Sequence, residues 1–178
     1  EKADPDPMPA GILGATAAFL VAAQMISVPV APGVSGHLVG SALAAALVGP
    51  WRALVAMAVV LAIQAVLFQD GGISALGANI VDMGVAGVAV AYAVAALATR
   101  WSRSPRGFAI GVVVGAFAAT AAASVLTGIW LGLSGLYPLG AIVQIMLITH
   151  VALCVLEADL QRGGLGRVRR LRQRHPGN

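Results

Sequence analysis

The chain has 178 residues, of which 59% are hydrophobic and 10% charged, whereas ordinary soluble domains run roughly 45–50% apolar and about 25% charged. Between Met8 and Leu156 the only charged side chains are Arg52, Asp70, Asp82, Arg100, Arg103 and Arg106. That distribution excludes a water-soluble domain and a polar disordered chain, and the single Cys154 excludes a disulfide framework and a cysteine-only zinc site.

A membrane-crossing helix takes about 20 mostly apolar residues. In chain order the apolar stretches fall at about 10–30, 38–50, 51–69, 79–99, 108–132 and 138–157. The expected fold is therefore all-α, a compact bundle of about six transmembrane helices. It occupies residues 10–157, between a short segment, 1–9, and a basic tail, 158–178. The second stretch is short and meets the third at the tight turn Gly49-Pro50-Trp51-Arg52. A stretch of that length suits a helix shielded by its neighbours or a re-entrant segment.

Six crossings place the start of the chain, Arg52, the Arg100–Arg106 loop and the tail on one side. That side then holds all 11 Lys and Arg residues, and the opposite loops hold none. The positive-inside rule makes the basic side of this multi-pass membrane protein cytoplasmic. The tail has six arginines within Arg162–Arg174. They read as a topology anchor on anionic headgroups, with a partner-protein or nucleic-acid site as the alternative. The net charge of +4 therefore does not by itself point to nucleic acid.

Ala and Gly, not Leu, dominate the spans. Gly107, Gly111, Gly115, Ala119 and Ala123 recur every four residues in the fifth span; Gly87, Ala91 and Ala95 do so in the fourth, and Gly14, Ala18 and Ala22 in the first. Such stripes let helix backbones approach closely in lipid. They serve packing within the bundle, or one of them, most plausibly Gly14/Ala18/Ala22, faces a separate membrane subunit.

Two loops on the side opposite the arginines are Gly-rich and polar: Val30–Gly40, around the connection 31–36, carries Ser35 and His37, and Phe68–Asn79, around the connection 69–78, carries Asp70 and Asn79. Asp82 lies one turn inside the fourth span, and Gln64 about one and a half turns before Asp70. Ionisable groups within a membrane are costly and point to function. His37 is the only histidine on that side, and imidazole binds late first-row metals; on its own, though, a lone histidine is more often structural. Asp70 beside Gly71-Gly72 also fits a turn. His150 is expected nearer the basic side, in a helix–helix hydrogen bond.

The runs Ala22-Ala23-Gln24-Met25-Ile26-Ser27-Val28-Pro29-Val30 and Ser35-Gly36-His37-Leu38-Val39-Gly40, then Gly49-Pro50-Trp51, Gln64-Ala65-Val66-Leu67-Phe68, Asp70-Gly71-Gly72, Ala75-Leu76-Gly77-Ala78-Asn79 and Met83-Gly84, resemble the membrane component of cobalt/nickel energy-coupling-factor transporters, the CbiM/NikM family. The likeness is dense over about residues 17–90 and rests on hydropathy alone beyond. It implies substrate capture for an ATP-driven importer of Ni²⁺ or Co²⁺, the metal being cargo, with no permanently bound cofactor. The implied ligands are a free amino terminus, the backbone nitrogen and imidazole of a histidine after the initial Met, and a second histidine that maps onto His37. Ser35, Gln64, Asp70 and Asn79 fall on positions that support the loops. Asp82 stands where many relatives carry Asn, and either alters the charge around the metal or forms a buried hydrogen bond.

No Met-His element occurs in the chain. The resemblance has one more helix before residue 1, seven in all, so residue 1 is expected to lie in a cytoplasmic loop after that helix. Nothing resembles an ATP-binding Gly-x-x-x-x-Gly-Lys-Ser/Thr loop. The implied partners are thus a transmembrane coupling protein and two cytoplasmic ATPases, with room for a small accessory membrane subunit, and the chain itself is not an enzyme. The rivals are a component for another small solute, a membrane scaffold, and an intramembrane protease using Ser35 with His150. A large vertical gap between Ser35 and His150 is expected and speaks against the protease.

Overall fold

The computed structural model describes residues 10–150 and 152–155; the expectations for segment 1–9 and for the arginine tail lie outside them. Six helices appear: α1 (Ala10–Gln24), α2 (Ser41–Val48), α3 (Pro50–Phe68), α4 (Gly72–Trp101), α5 (Pro105–Leu133) and α6 (Leu139–Val155). Among the described residues α3, α4 and α5 are long and apolar enough to cross a membrane, while α1 and α6 are shorter apolar helices and α2 has 8 residues. Each apolar stretch of the sequence thus corresponds to one helix.

The boundaries depart from expectation where local chemistry overrides hydropathy. The first stretch does not stay helical to residue 30. After Gln24 the chain forms an antiparallel hairpin of β1 (Ser27–Ala31) and β2 (Val34–His37), in which Ser27 pairs with His37 and Val28 with Gly36. Pro29 cannot continue a helix, and the β-branched valines beside it favour extended backbone. Leu38 and Val39 are buried without being helical, and α2 starts only after Gly40, whose φ of 74° is a left-handed conformation suited to glycine. The hairpin thus occupies depth that longer helices α1 and α2 would have filled. Irregular backbone at membrane depth is tolerated where protein buries it or where it lines a cavity.

The connector expected over 69–78 is likewise shorter than its composition implied. Only Gln69, Asp70 and Gly71 leave the helices, and Gly72–Asn79 is the first part of α4. Positive φ at Gln69, Gly71 and Gly72 turns the chain sharply there. The turn at Gly49 is as expected, with φ of 80° and Pro50 in the first turn of α3, where its missing N–H costs nothing. At the start of α5, Ser104 caps the helix by accepting from the Gly107 N–H at 3.0 Å, with Pro105 next in line.

Two helices contain wider π turns, Gln64–Phe68 ending α3 and Ile80–Gly87 within α4. Such turns disturb the normal backbone ladder, and in α4 the Met83 carbonyl accepts a 2.6 Å hydrogen bond from the Ser41 hydroxyl. This bond ties the first turn of α2 to the middle of α4. A methyl added at Gly87 would sit 2.6 Å from that hydroxyl, so glycine is required there.

The small-residue stripes of α4 and α5 face one another. A methyl at Gly111 would lie 2.6 Å from Ala98 Cβ, and one at Gly115 2.9 Å from the Ala91 carbonyl oxygen. Lower on α5, Gly128 meets Val143 of α6 at 2.9 Å in the same sense. Leu20, Val39, Val48, Met57 and Val60 form the core beneath α2. Gly14, Ala18 and Ala22, by contrast, are exposed, and among the described residues nothing lies within 4 Å of a methyl at Gly14. Large apolar side chains such as Val55, Leu67, Ile110 and Val114 also point outward, as lipid-facing residues do. Trp51 and Trp101, 81% and 93% exposed, stand next to Arg52 and Arg100, a pairing of residue types enriched at membrane interfaces.

Candidate metal-capture site

The hairpin, the Gln69–Gly72 turn and the α5–α6 connection gather at the end of the bundle away from Arg52 and Arg100. Tyr137, in that connection, donates its hydroxyl proton to the Pro32 carbonyl at the hairpin turn. Between these segments lies a chamber of about 710 Å³, lined among others by Ser35, His37, Asp70, Gly71, Asn79 and Thr127. Of the residues singled out from the sequence, four therefore share one space: Ser35, His37, Asp70 and Asn79. A smaller cavity of about 50 Å³ is also lined by Ser35, His37, Asn79 and Thr127, and adds Met83, Met146 and His150.

His37 ends β2 and is partly buried. Its Nδ1 lies 2.9 Å from the Leu38 carbonyl oxygen. A carbonyl only accepts, so Nδ1 carries the proton in this bond and the neutral ring has its lone pair on Nε2. Asn79 rests against Gly71, where a side chain would strike the Asn79 amide. Glycine at 71 thus supplies both the turn, φ 69°, and the room for Asn79.

Gln64 and Asp82 are not part of the chamber wall. Gln64 is 2% exposed; its carbonyl accepts the Asp70 N–H at 3.2 Å, so it supports the turn through its backbone, while its side-chain Nε2 has no partner among the described residues. Asp82 is 1% exposed and accepts from the Thr127 hydroxyl at 2.8 Å and the Trp130 indole N–H at 2.9 Å. Of the two roles open to it, the buried hydrogen bond is the one this geometry contains, and it also orients Thr127, which lines both cavities.

The expectation for His150 requires correction. It lies against the hairpin and not towards the basic side: a methyl at Gly36 would meet its Cε1 at 2.8 Å. Its hydrogen bond is not between helices either, since Nδ1 pairs with the Met146 carbonyl one turn earlier, at 2.7 Å. The cause is the depth of the hairpin, which carries Ser35 and Gly36 down to α6. The expected wide separation of Ser35 from His150 therefore fails, since both border the small cavity. Thr127, Gly36 and Gln24 were not singled out from the sequence as site residues. Gln24 is fully buried and donates to the Val39 carbonyl at 2.7 Å, bracing the segment after His37.

The cobalt uptake substrate-specific transmembrane region family (CbiM) matches residues 2–173. The chain is 38% identical over 154 residues to a putative fused nickel transport protein of Archaeoglobus fulgidus, covering 85% of this chain and 50% of that protein. It is 36% identical over 168 residues to the fused nickel transport protein NikMN of Rhodobacter capsulatus, covering 86% and 48%. With the cobalt transport protein CbiM of Sorangium cellulosum the identity is 35% over 153 residues, covering 84% and 63%. The chain thus spans about half the length of the two fused relatives. Among solved structures it resembles a transition metal transporter with a TM-score of 0.86 and 27% identity, over 96% of this chain and 80% of the other.

Proposed function

The chain belongs to the CbiM family of substrate-specific transmembrane regions for cobalt uptake, and on that premise we propose that it is the substrate-capture subunit of an importer for Ni²⁺ or Co²⁺. The observation that carries this reading is the meeting of His37, Asp70 and Asn79 around one chamber at the end away from the arginines. Asp70 attracts a cation. His37, its Nδ1 proton committed to Leu38, offers the Nε2 lone pair as an inner-sphere ligand. Imidazole suits nickel and cobalt, while Mg²⁺ and Ca²⁺ require oxygen donors, so His37 supplies selectivity against the abundant cations. Ser35 and Asn79 hold the chamber wall, and Gln64 and Asp82 brace the segments behind it.

The basic end is cytoplasmic and the chamber opens outward. Transport energy comes from a transmembrane coupling protein and two cytoplasmic ATPases. Support for separable components comes from the relatives' names, which include a fused NikMN and a putative fused CbiMQ of which this chain covers 28%. The exposed Gly14/Ala18/Ala22 face is the proposed contact with the coupling protein, because its smooth surface is left unused by the bundle.

Titration of the purified chain with Ni²⁺ tests the reading. Weak binding, in the micromolar range or above, is expected from a site whose other implied ligands belong to a Met-His element absent from this sequence. His37→Ala is expected to abolish it, and Mg²⁺ not to compete. Binding that survives His37→Ala overturns the assignment. Sub-micromolar affinity of this chain alone overturns the need for further ligands.

A further inference from the structure

The sequence contains three histidines, His37, His150 and His175, of which the first two border one space. His150, on α6, is 7% exposed. Its Nδ1 faces the Met146 carbonyl oxygen at 2.7 Å. Because a carbonyl has no proton to give, Nδ1 is the donor and Nε2 holds the lone pair of the neutral ring. Among the described residues Nε2 has no hydrogen-bond partner. It lies at the edge of the small cavity, against Gly36, where an added methyl would come within 3.0 Å of it. His37 repeats the arrangement, with Nδ1 facing the Leu38 carbonyl oxygen at 2.9 Å, so that in the neutral ring the lone pair falls on Nε2.

An imidazole whose Nδ1–H is tied to a backbone carbonyl, leaving Nε2 bare, is the arrangement that fixes tautomer and ring direction in metal-ligating histidines. A histidine serving only to pack helices has no need of a cavity beside its free nitrogen. The cavity, about 50 Å³, has room for one ion and a few waters, since a single water occupies roughly 10–15 Å³ on the same measure. Asn79 and Thr127 add oxygen donors, and both also face the large chamber. The two spaces therefore share His37, Asn79 and Thr127, and only the inner one has a second imidazole.

We propose that His150 Nε2 is a second imidazole ligand for the divalent cation, forming with His37 an inner site beneath the outer chamber. The ion is held first at His37 in the chamber and then between His37 and His150. This rests on the reading of the chamber as a capture site, and it goes beyond that reading by giving this chain two imidazole ligands of its own.

The test uses the full chain in lipid nanodiscs with His175→Gln, so that His37 and His150 are the only imidazoles, titrated with Ni²⁺ alone and with Co²⁺ alone. Introducing His150→Gln is expected to weaken binding about tenfold or more, the range in which removal of a single supporting group at a metal site already acts. It is also expected to shift the cobalt d–d absorption and to remove one imidazole from the nickel X-ray absorption fine structure. Gly36→Ala keeps both imidazoles but drives a methyl onto the His150 ring, and is expected to weaken binding in the same direction. It carries the test if His150→Gln does not fold. An unchanged affinity and cobalt spectrum in both variants, with binding still lost in His37→Ala, overturns the inner site and leaves the capture reading intact. Absence of binding by the parent chain overturns both.

Discussion

Asp82 shows how one buried acceptor organises its surroundings. A carboxylate can only accept, so the Thr127 hydroxyl must spend its proton on it, which leaves the threonine oxygen as an acceptor towards the cavities it lines. Asp82→Ala is expected to lower stability by about 1–3 kcal/mol, because it removes the acceptor shared by the Thr127 hydroxyl and the Trp130 indole N–H. Asp82→Asn is expected to cost less, since its carbonyl still accepts from one of them. Thermal unfolding in detergent followed by tryptophan emission checks the order, with Trp130 itself as reporter; equal losses for both variants overturn it. At this scale the sequence was informative where a polar or ionisable residue stood in a Gly-rich loop, as His37, Asp70 and Asn79 do, or was charged within an apolar span, as Asp82 is. It was silent on Thr127 and misleading on His150. A threonine blends into an Ala/Gly-rich helix, and the depth of His150 depends on how far a hairpin dips, which hydropathy does not encode.

At the level of elements, the six apolar stretches were legible because lipid-facing helices must be apolar on most sides, and each became a helix. The hairpin was not legible, since Ser27–His37 is apolar enough to pass for a helix end followed by a loop. Only Pro29 and the neighbouring valines argue otherwise. The glycine stripes were legible as packing surfaces but not as to partner, because four-residue spacing looks the same whether the facing helix belongs to this chain or another. The fold separates them. Gly115→Val is expected to destabilise by about 1–3 kcal/mol, since its new side chain meets the Ala91 backbone at 2.9 Å and backbone cannot step aside. Gly14→Val is expected to leave the isolated chain destabilised by no more than about 0.5 kcal/mol, with open space at that position and valine a better helix former than glycine. Melting temperatures of the two purified variants decide this. If the Gly14 variant assembles normally with a coupling protein, the first-helix face is not the contact.

For the whole molecule, charge and polarity segregate along one axis. Arg52, Arg100, Arg103 and Arg106 lie at one end with the exposed Trp51 and Trp101. The hairpin, Asp70 and the chamber lie at the other. In the orientation proposed above, with the arginines inside, the chamber faces outward, and the proposed capture from the exterior rests on that topology and not on any single ligand. The prediction is direct. With Cys154 replaced by alanine, a single cysteine at Ser74, exposed in the first turns of α4, is expected to react with a membrane-impermeant maleimide on intact cells. One at Ser102, exposed between α4 and α5, is expected to react only after permeabilisation. Cys154 is buried, so its removal is not expected to change the labelling of either site. The reverse pattern places the chamber on the cytoplasmic side, where a capture subunit has no extracellular metal to bind, and overturns sidedness and importer together. Protection of the Ser74 cysteine by Ni²⁺, but not by Mg²⁺, extends the same experiment to the chamber. Ser74 stands two residues after Gly72 and one before Ala75, both of which line it, so an ion held at His37 is expected to slow labelling there while leaving Ser102 unaffected.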